Sequence, residues 1–222
     1  MSGKKESYTQ YLFYDFMKWF CFWPVALYLR PKHIYRSEKA KSAVKGPGIL
    51  AYNHNSFMDV LYVQLGIWKR RHRIVSEREQ LGHGKNRIFL KMLLSIPIDR
   101  DSVSPATVRA IVNPLKNGHL VDIFPEGVLN RQPYTLLPFK KGVSLFSYLG
   151  SAPLIPVYID RGAHFWNRLT FVIGEPVFPA DWEAYYESGR ASDYKEALPL
   201  VTECLEERMK ELASYAESRR KK

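Results

Sequence analysis

Short apolar runs of strand length alternate along this chain with segments of helical spacing. The runs fall at 49–52, 73–76, 96–98, 119–124, 154–159 and 169–173. Between them, 56–68, 87–94, 104–116 and 139–149 read as helices. Leu198, Val201, Leu205, Met209, Leu212 and Ala216 mark one face of a C-terminal helix that packs on the core. Parallel neighbours need a crossover long enough to hold a helix. The alternation therefore predicts an α/β domain with a largely parallel sheet flanked by helices. The punctuation agrees. Ser104-Pro105 is an N-cap and a first helical position, and Asn117-Gly118 is a stop, with Pro114 disturbing the turn before it. At 222 residues, 46% of them apolar, there is material for one domain with a real core and little for a second.

Residues 1–31 do not fit that alternation. From 7 to 30 they are crowded with Trp, Phe and Tyr, and Pro24 divides the segment into two short helices or kinks one. The stretch free of charge runs from 19 to 29, eleven residues, against the roughly 20 that a spanning helix needs. Aromatics favour the bilayer interface, and Arg30, Lys32, Arg36, Lys39, Lys41 and Lys45 follow directly. These features describe a monotopic anchor lying in one leaflet; a pair of aromatic-rich core helices is the other reading. The expected division is an interfacial anchor at 1–31 and the α/β domain at 32–222, with about 32–46 as a joining stretch.

The chain carries 33 Lys and Arg against 22 Asp and Glu, a formal +11, and the excess lies before residue 181. A polyanionic partner follows: nucleic acid, an anionic membrane surface or a phosphorylated substrate. Nucleic acid is set aside, because many aromatics gather in one apolar segment instead of interleaving with bases, and no helix-turn-helix, RRM or zinc pattern is seen. Cys21 and Cys204 make no ligand spacing and read as free thiols of a reducing compartment, so no metal is expected. Asp15 and Lys18 interrupt the apolar stretch, which argues against a secretory leader.

Three clusters carry chemistry. In Asn53-His54-Asn55-Ser56-Phe57-Met58-Asp59, His54 lies after a strand and before a helix, where sheets of this class present ligand-binding residues. A loop there can fold back so that Asp59 holds one imidazole nitrogen and leaves the other to take a proton. Ser56 and Asp59 equally form a capping signature that serves only the helix start. In Phe124-Pro125-Glu126-Gly127, a carboxylate sits at the end of a strand, beside a glycine that lets backbone approach a ligand; a plain turn fits as well. In Ile96-Pro97-Ile98-Asp99-Arg100, Arg100 suits bidentate phosphate binding, or pairs with Asp99 or Asp101.

Together these clusters resemble the glycerolipid acyltransferase family, the group that includes the bacterial 1-acyl-glycerol-3-phosphate acyltransferases. That family carries an NHx4D block, an Ile-x-x-Asp-Arg-like block, FPEG, and a hydrophobic strand with Pro in its middle. They stand here in order as Asn53-His54 with Asp59, Ile96 with Asp99-Arg100, Phe124-Pro125-Glu126-Gly127, and Leu154-Ile155-Pro156-Val157. Phe139-Lys140-Lys141-Gly142 is similar to the segment between the last two. The resemblance covers about 35–178. It implies that His54, held by Asp59, is general base on an acceptor hydroxyl, which attacks an acyl thioester directly. There is no GxSxG nucleophile elbow. Acyl-CoA or acyl-carrier protein is then a co-substrate, and no bound cofactor is expected. Asn53, Arg100, Glu126 and Gly127 fall to acceptor binding, and Ser56 to support of the loop. Lys69-Arg70-Arg71-His72-Arg73 suits headgroups or CoA phosphates, or is a solvated face.

One departure bears on the acceptor. Many members continue FPEG with Thr-Arg-Ser, whereas Val128-Leu129-Asn130-Arg131 stands here, so that Arg131 comes two positions late. Arg131 takes over the phosphate, or Lys140 or Lys141 does, or the acceptor differs. The expected partners are a lysophospholipid acceptor, the acyl donor and an anionic membrane surface, with no nucleic acid. The expected place is the cytoplasmic face of a cell membrane, in a bacterium. The expected product is phosphatidate, for phospholipid synthesis. Alternatives are another lysolipid such as lyso-ornithine lipid, or a catalytically inactive lipid-binding member.

Overall fold

The structure, a computed structural model, describes residues 8–78, 93–99, 104–161 and 168–221. In chain order these form α1 (Tyr8–Phe20), α2 (Phe22–Leu29), β1 (Lys32–Tyr35), α3 (Glu38–Ala43), β2 (Gly48–Tyr52), α4 (Asp59–Gly66), β3 (His72–Glu77) and β4 (Ile96–Ile98). Then come α5 (Pro105–Lys116), β5 (Leu120–Ile123), α6 (Gly142–Gly150), β6 (Leu154–Asp160), β7 (Thr170–Ile173), a 3-10 turn (Pro179–Trp182), α7 (Glu183–Glu187) and α8 (Tyr194–Arg220). Among the described residues one seven-stranded sheet runs β1-β7-β6-β2-β5-β3-β4. Its pairings are parallel except for β6 with β7. The expected α/β class with a largely parallel sheet is what the chain adopts.

Helices cover both faces of the sheet, so its central strands must be apolar on both sides. β2, β5 and β6 are buried at every position. Within β2, Ile49 and Ala51 join a core with α5, α6 and the apolar face of α8. Leu50 and Tyr52 join a second core with α2, α3 and α4. Pro156 has no amide to give in the middle of β6. Gly174 donates to its carbonyl at 2.9 Å, the ladder to β7 stops there, and the chains pair once more at Leu154 and Val177.

Several expectations are corrected. The N-terminal helices part at Cys21, not at Pro24. Pro24 is the third residue of α2, inside the first turn, where amides have no helical partner to lose. The stretch 32–46 is no linker: β1 pairs in parallel with β7, and the Ser37 hydroxyl caps α3 by accepting from the Ala40 amide at 3.0 Å. The helix expected from 56 begins at Asp59, and the one expected from 139 begins at Gly142. The helix expected at 87–94 lies almost wholly outside the described residues.

The helix α1 is fastened to the body by buried polar groups. The Tyr14 hydroxyl donates to Gln64 Oε1 at 2.8 Å and accepts from the His72 amide at 3.3 Å. Lys18 Nζ donates to the Arg70 carbonyl at 2.5 Å. His72 Nδ1 lies 3.1 Å from Asp122 Oδ1, and its Nε2 lies 2.9 Å from the Ile67 carbonyl. Burial pushes the Lys18 ammonium down to about 8, against a pull upward from the Asp122 carboxylate. Burial likewise pushes the Asp122 carboxyl up. The outer face of the two N-terminal helices exposes Leu12, Phe16, Trp19, Phe20, Trp23 and Leu27. Among the described residues no helix is long and apolar enough to cross a membrane.

Candidate active site

β5, β2 and β6 lie side by side and run in the same direction. Their C-terminal ends therefore deliver Asn53-His54, the Phe124–Gly127 turn and Arg161 to one edge of the sheet, where ligands bind in folds of this class. Asn53 makes the exit from β2. Its Oδ1 accepts from the Ile159 amide at 2.6 Å, and its Nδ2 donates to the Ile159 carbonyl at 3.2 Å and to Asn55 Oδ1. These bonds satisfy the end of β6 and hold the following loop.

His54 Nδ1 lies 3.3 Å from Asp59 Oδ2. The same oxygen accepts the amides of Asn55 and Ser56, each at 2.7 Å. Asp59 is 1% exposed, while 19% of the His54 side chain reaches solvent. The imidazole lies on the Phe124 ring, with centroids 4.2 Å apart and planes at 21°. A histidine so clamped has one nitrogen committed to a carboxylate and the other available to take a proton.

Glu126 is 2% exposed and is saturated by the protein. Oε1 accepts from the His54 amide at 3.2 Å; Oε2 accepts from Asn130 Nδ2 at 3.1 Å and from the Leu137 amide at 2.9 Å. Burial pushes its carboxyl up, and these donors pull it back down. Asn130 also donates its own amide to the His54 carbonyl at 2.7 Å. Glu126 and Asn130 thus grip both backbone ends of His54. Gly127 adopts φ +70°, closing the turn with its amide on the Phe124 carbonyl at 3.0 Å. The Lys140 stem lies over it.

The other expected binding residues separate. Arg131 lines a cavity of about 230 Å³ with Asn55, Tyr134, Tyr158, Asp160 and Arg161. Lys141 faces a different cavity, lined by Glu203, Glu206 and Lys210 of α8. Arg100 lies outside the described residues. Among the described residues no group of three His, Cys, Asp or Glu stands close enough to hold a metal ion. Two residues at the site were not singled out from sequence. Asn130 was noted only as a departure, and Arg161 carries no local signal. The rule that strand ends build the site would have found Arg161, the residue after β6.

The chain is similar to known proteins in sequence and in fold. A family model described as Acyltransferase matches residues 33–160, from β1 to the end of β6. The 1-acyl-sn-glycerol-3-phosphate acyltransferase of Bacillus subtilis (strain 168) is 29% identical over 169 residues, covering 74% of this chain and 80% of that protein. The putative 1-acyl-sn-glycerol-3-phosphate acyltransferase acl-2 of Caenorhabditis elegans is 28% identical over 169 residues, covering 72% of this chain but 55% of that longer protein. The crystal structure of PlsC, the 1-acyl-sn-glycerophosphate (LPA) acyltransferase from Thermotoga maritima, matches with a TM-score of 0.55 at 20% identity, over 92% of this chain and 80% of that one. At that identity the likeness is one of fold.

Proposed function

From the premise that this chain belongs to the Acyltransferase family, we propose that it acylates the free hydroxyl of 1-acyl-glycerol 3-phosphate and so forms phosphatidate. The observation that carries the reading is the His54–Asp59 pair, 3.3 Å apart, at the end of β2 and inside the matched region. Nε2 of His54 takes the proton of the acceptor hydroxyl while Asp59 steadies the imidazolium that forms. The freed oxygen attacks the thioester carbonyl of acyl-CoA or acyl-carrier protein. The tetrahedral intermediate collapses, the carbon–sulfur bond breaks, and His54 returns the proton to the leaving thiolate. The Gly127 amide is already bonded to the Phe124 carbonyl. The next amide on that turn, that of Val128, is the better donor to the oxyanion.

In this reading Asn53, Glu126 and Asn130 hold the histidine loop, and Lys140 stands over the turn as a cation for the acceptor. The exposed apolar face of α1 and α2 lies in one leaflet of an anionic membrane, at its cytoplasmic side. Acceptor and product then stay in the bilayer while the donor comes from water.

The test is direct. Purified protein in vesicles receives palmitoyl-CoA and lysophosphatidate, and phosphatidate is followed by mass spectrometry beside His54→Ala. Loss of the base should cost about 10²–10⁴ in rate. Equal activity in wild type and His54→Ala would sink the mechanism. A wild type inert with lysophosphatidate but active on lyso-ornithine lipid would replace the acceptor.

A further inference from the structure

The loop between His54 and Asp59 carries its two apolar side chains outward. The Ser56 carbonyl accepts the Asp59 amide at 3.0 Å, which makes Phe57 and Met58 the central residues of a tight turn. Small and polar residues are the usual occupants of such positions. Here Phe57 is 75% exposed, the most of any large apolar side chain among the described residues, and Met58 is 45% exposed. The turn is not free to fold them inward, because its backbone is pinned. Asp59 Oδ2 holds the amides of Asn55 and Ser56, and the Ser56 hydroxyl accepts the Met58 amide at 3.2 Å.

The same turn stands where α2 arrives. Near the end of α1, Lys18 reaches the Arg70 carbonyl just before β3, at the edge of the sheet opposite the catalytic one. From there α2 runs to the catalytic edge, where the Arg30 carbonyl accepts from Arg168 Nε at 2.5 Å and the Lys32 amide donates to the Leu169 carbonyl at 2.8 Å. β1 then starts beside Thr170, which pairs with Asp160 at the end of β6. α4 runs the opposite way, from the catalytic loop, in the core it shares with α2. The exposed Leu27 and Tyr28 of α2 and the Phe57-Met58 tip therefore come to one corner of one face. Arg30, Arg131 and Arg168 are exposed along that edge.

We propose that the Phe57-Met58 turn is a second membrane contact, inserted into an anionic leaflet beside the end of α2, so that the catalytic loop itself stands in lipid. An exposed apolar tip loses its unfavourable hydration among acyl chains, and the arginines at the corner complement anionic headgroups. The inference rests on the membrane reading of α1 and α2 and goes beyond it. Those helices hold the protein to the bilayer; the turn, three residues from His54, opens the site into it. The acceptor then reaches the base by moving along the leaflet, without crossing water.

Depth probes on the full chain decide it, with no turnover needed. Phe57→Cys, Phe20→Cys and Lys116→Cys are each made with Cys21→Ser and Cys204→Ala and labelled with an environment-sensitive dye. Lys116 is exposed at the end of α5, at the edge opposite the catalytic one. Vesicles of phosphatidylglycerol and phosphatidylcholine, carrying nitroxide on a lipid chain and free of acceptor and thioester, supply the quencher. Quenching at 57 and at 20 but not at 116 is the expected result. Quenching at 20 alone overturns the second contact and leaves the membrane reading of α1 and α2 standing. Quenching at none of the three overturns both, and equal quenching at all three overturns the placement of the turn. A dye at 57 that responds to monomeric palmitoyl-CoA without vesicles, and not to the vesicles, assigns the turn to a substrate chain and overturns the proposal as well. In the otherwise native chain, Phe57→Ser should weaken partitioning onto the same vesicles about ten- to hundredfold, the worth of one phenylalanine side chain taken from water. Unchanged partitioning overturns the contact.

Discussion

Asp59 Oδ2 faces His54 Nδ1 at 3.3 Å and at the same time holds the amide of Ser56 at 2.7 Å. One oxygen thus holds both the imidazole and the loop amides that precede α4, whose first residue is Asp59 itself. Ser56 returns the favour, its hydroxyl accepting from the Met58 amide at 3.2 Å. The amides of Asn55 and Ser56 fix where the carboxylate stands, and the carboxylate holds the imidazole.

The double role can be separated by substitution. Asp59→Asn keeps an oxygen for the amides but removes the charge that orients and supports the imidazole. It should lower kcat by on the order of 10²–10⁴ with a small change in Tm. Asp59→Ala also leaves the amides of Asn55 and Ser56 without their acceptor and should cost about 1–3 kcal/mol more in stability. Full activity in Asp59→Asn would leave the carboxylate as a brace for the loop alone. Rate assays and thermal melts on the same samples check it.

Glu126 acts on His54 through the backbone. Glu126→Gln turns an NH2 group toward at least one of three donors, those of His54, Asn130 and Leu137. An unsatisfied buried donor costs about 1–3 kcal/mol. Stability should fall by that order, and kcat should fall more than either KM. Unaltered kcat with intact folding would show that the loop does not need this brace.

Lys18 makes stability depend on pH in the alkaline range. Its usual value of 10.5 is lowered to about 8, chiefly by burial, with Asp122 and Asp15 opposing and Arg71 assisting. Below about 8 both folded and unfolded chains hold the proton, and the folded state bears the buried charge. Between about 8 and 10.5 the folded chain has released a proton that the unfolded chain keeps. Stability from this group therefore rises with pH across that window, by at most about 1.4 kcal/mol per unit. Urea midpoints at pH 8 to 10 should climb more steeply for wild type than for Lys18→Met. Parallel curves would refute the assignment.

Vesicle binding should depend on the outer face of the N-terminal helices. Phe20 is 70% exposed and Leu27 65%. Placing each in lipid is worth about 1.5–3 kcal/mol. Phe20→Asp with Leu27→Asp should then weaken partitioning onto anionic vesicles by on the order of 10²–10⁴, as sedimentation would show. Undiminished binding would take these helices off the membrane.

What could be read from sequence was what is local. The His54–Asp59 pair needs only five residues of chain, so its spacing was legible. The central strands were legible because burial on both faces leaves unbroken apolar runs. β1 was not: Lys32-His33-Ile34-Tyr35 becomes a strand only against β7, where Lys32 pairs with Thr170. Arg161 was invisible for the same reason, since its place beside Asn55 depends on two strands meeting 106 residues apart. The position of Glu126 was legible, but the convergence of three donors on it depends on how 130–137 folds back.

The buried lock between α1 and β3 has a mechanical consequence. A helix on a slack cord would let the catalytic edge tumble above the bilayer. Here Tyr14 and Lys18 key the helix into the body, so it serves as a keel rather than a mooring line. The core that α2 shares with α4 continues the rigid path, and α4 begins at Asp59. Its eight residues span about 12 Å. On the proposed membrane reading, the draught of the molecule is set by its interior, and the depth at which an acceptor hydroxyl would meet His54 is a constant of the fold.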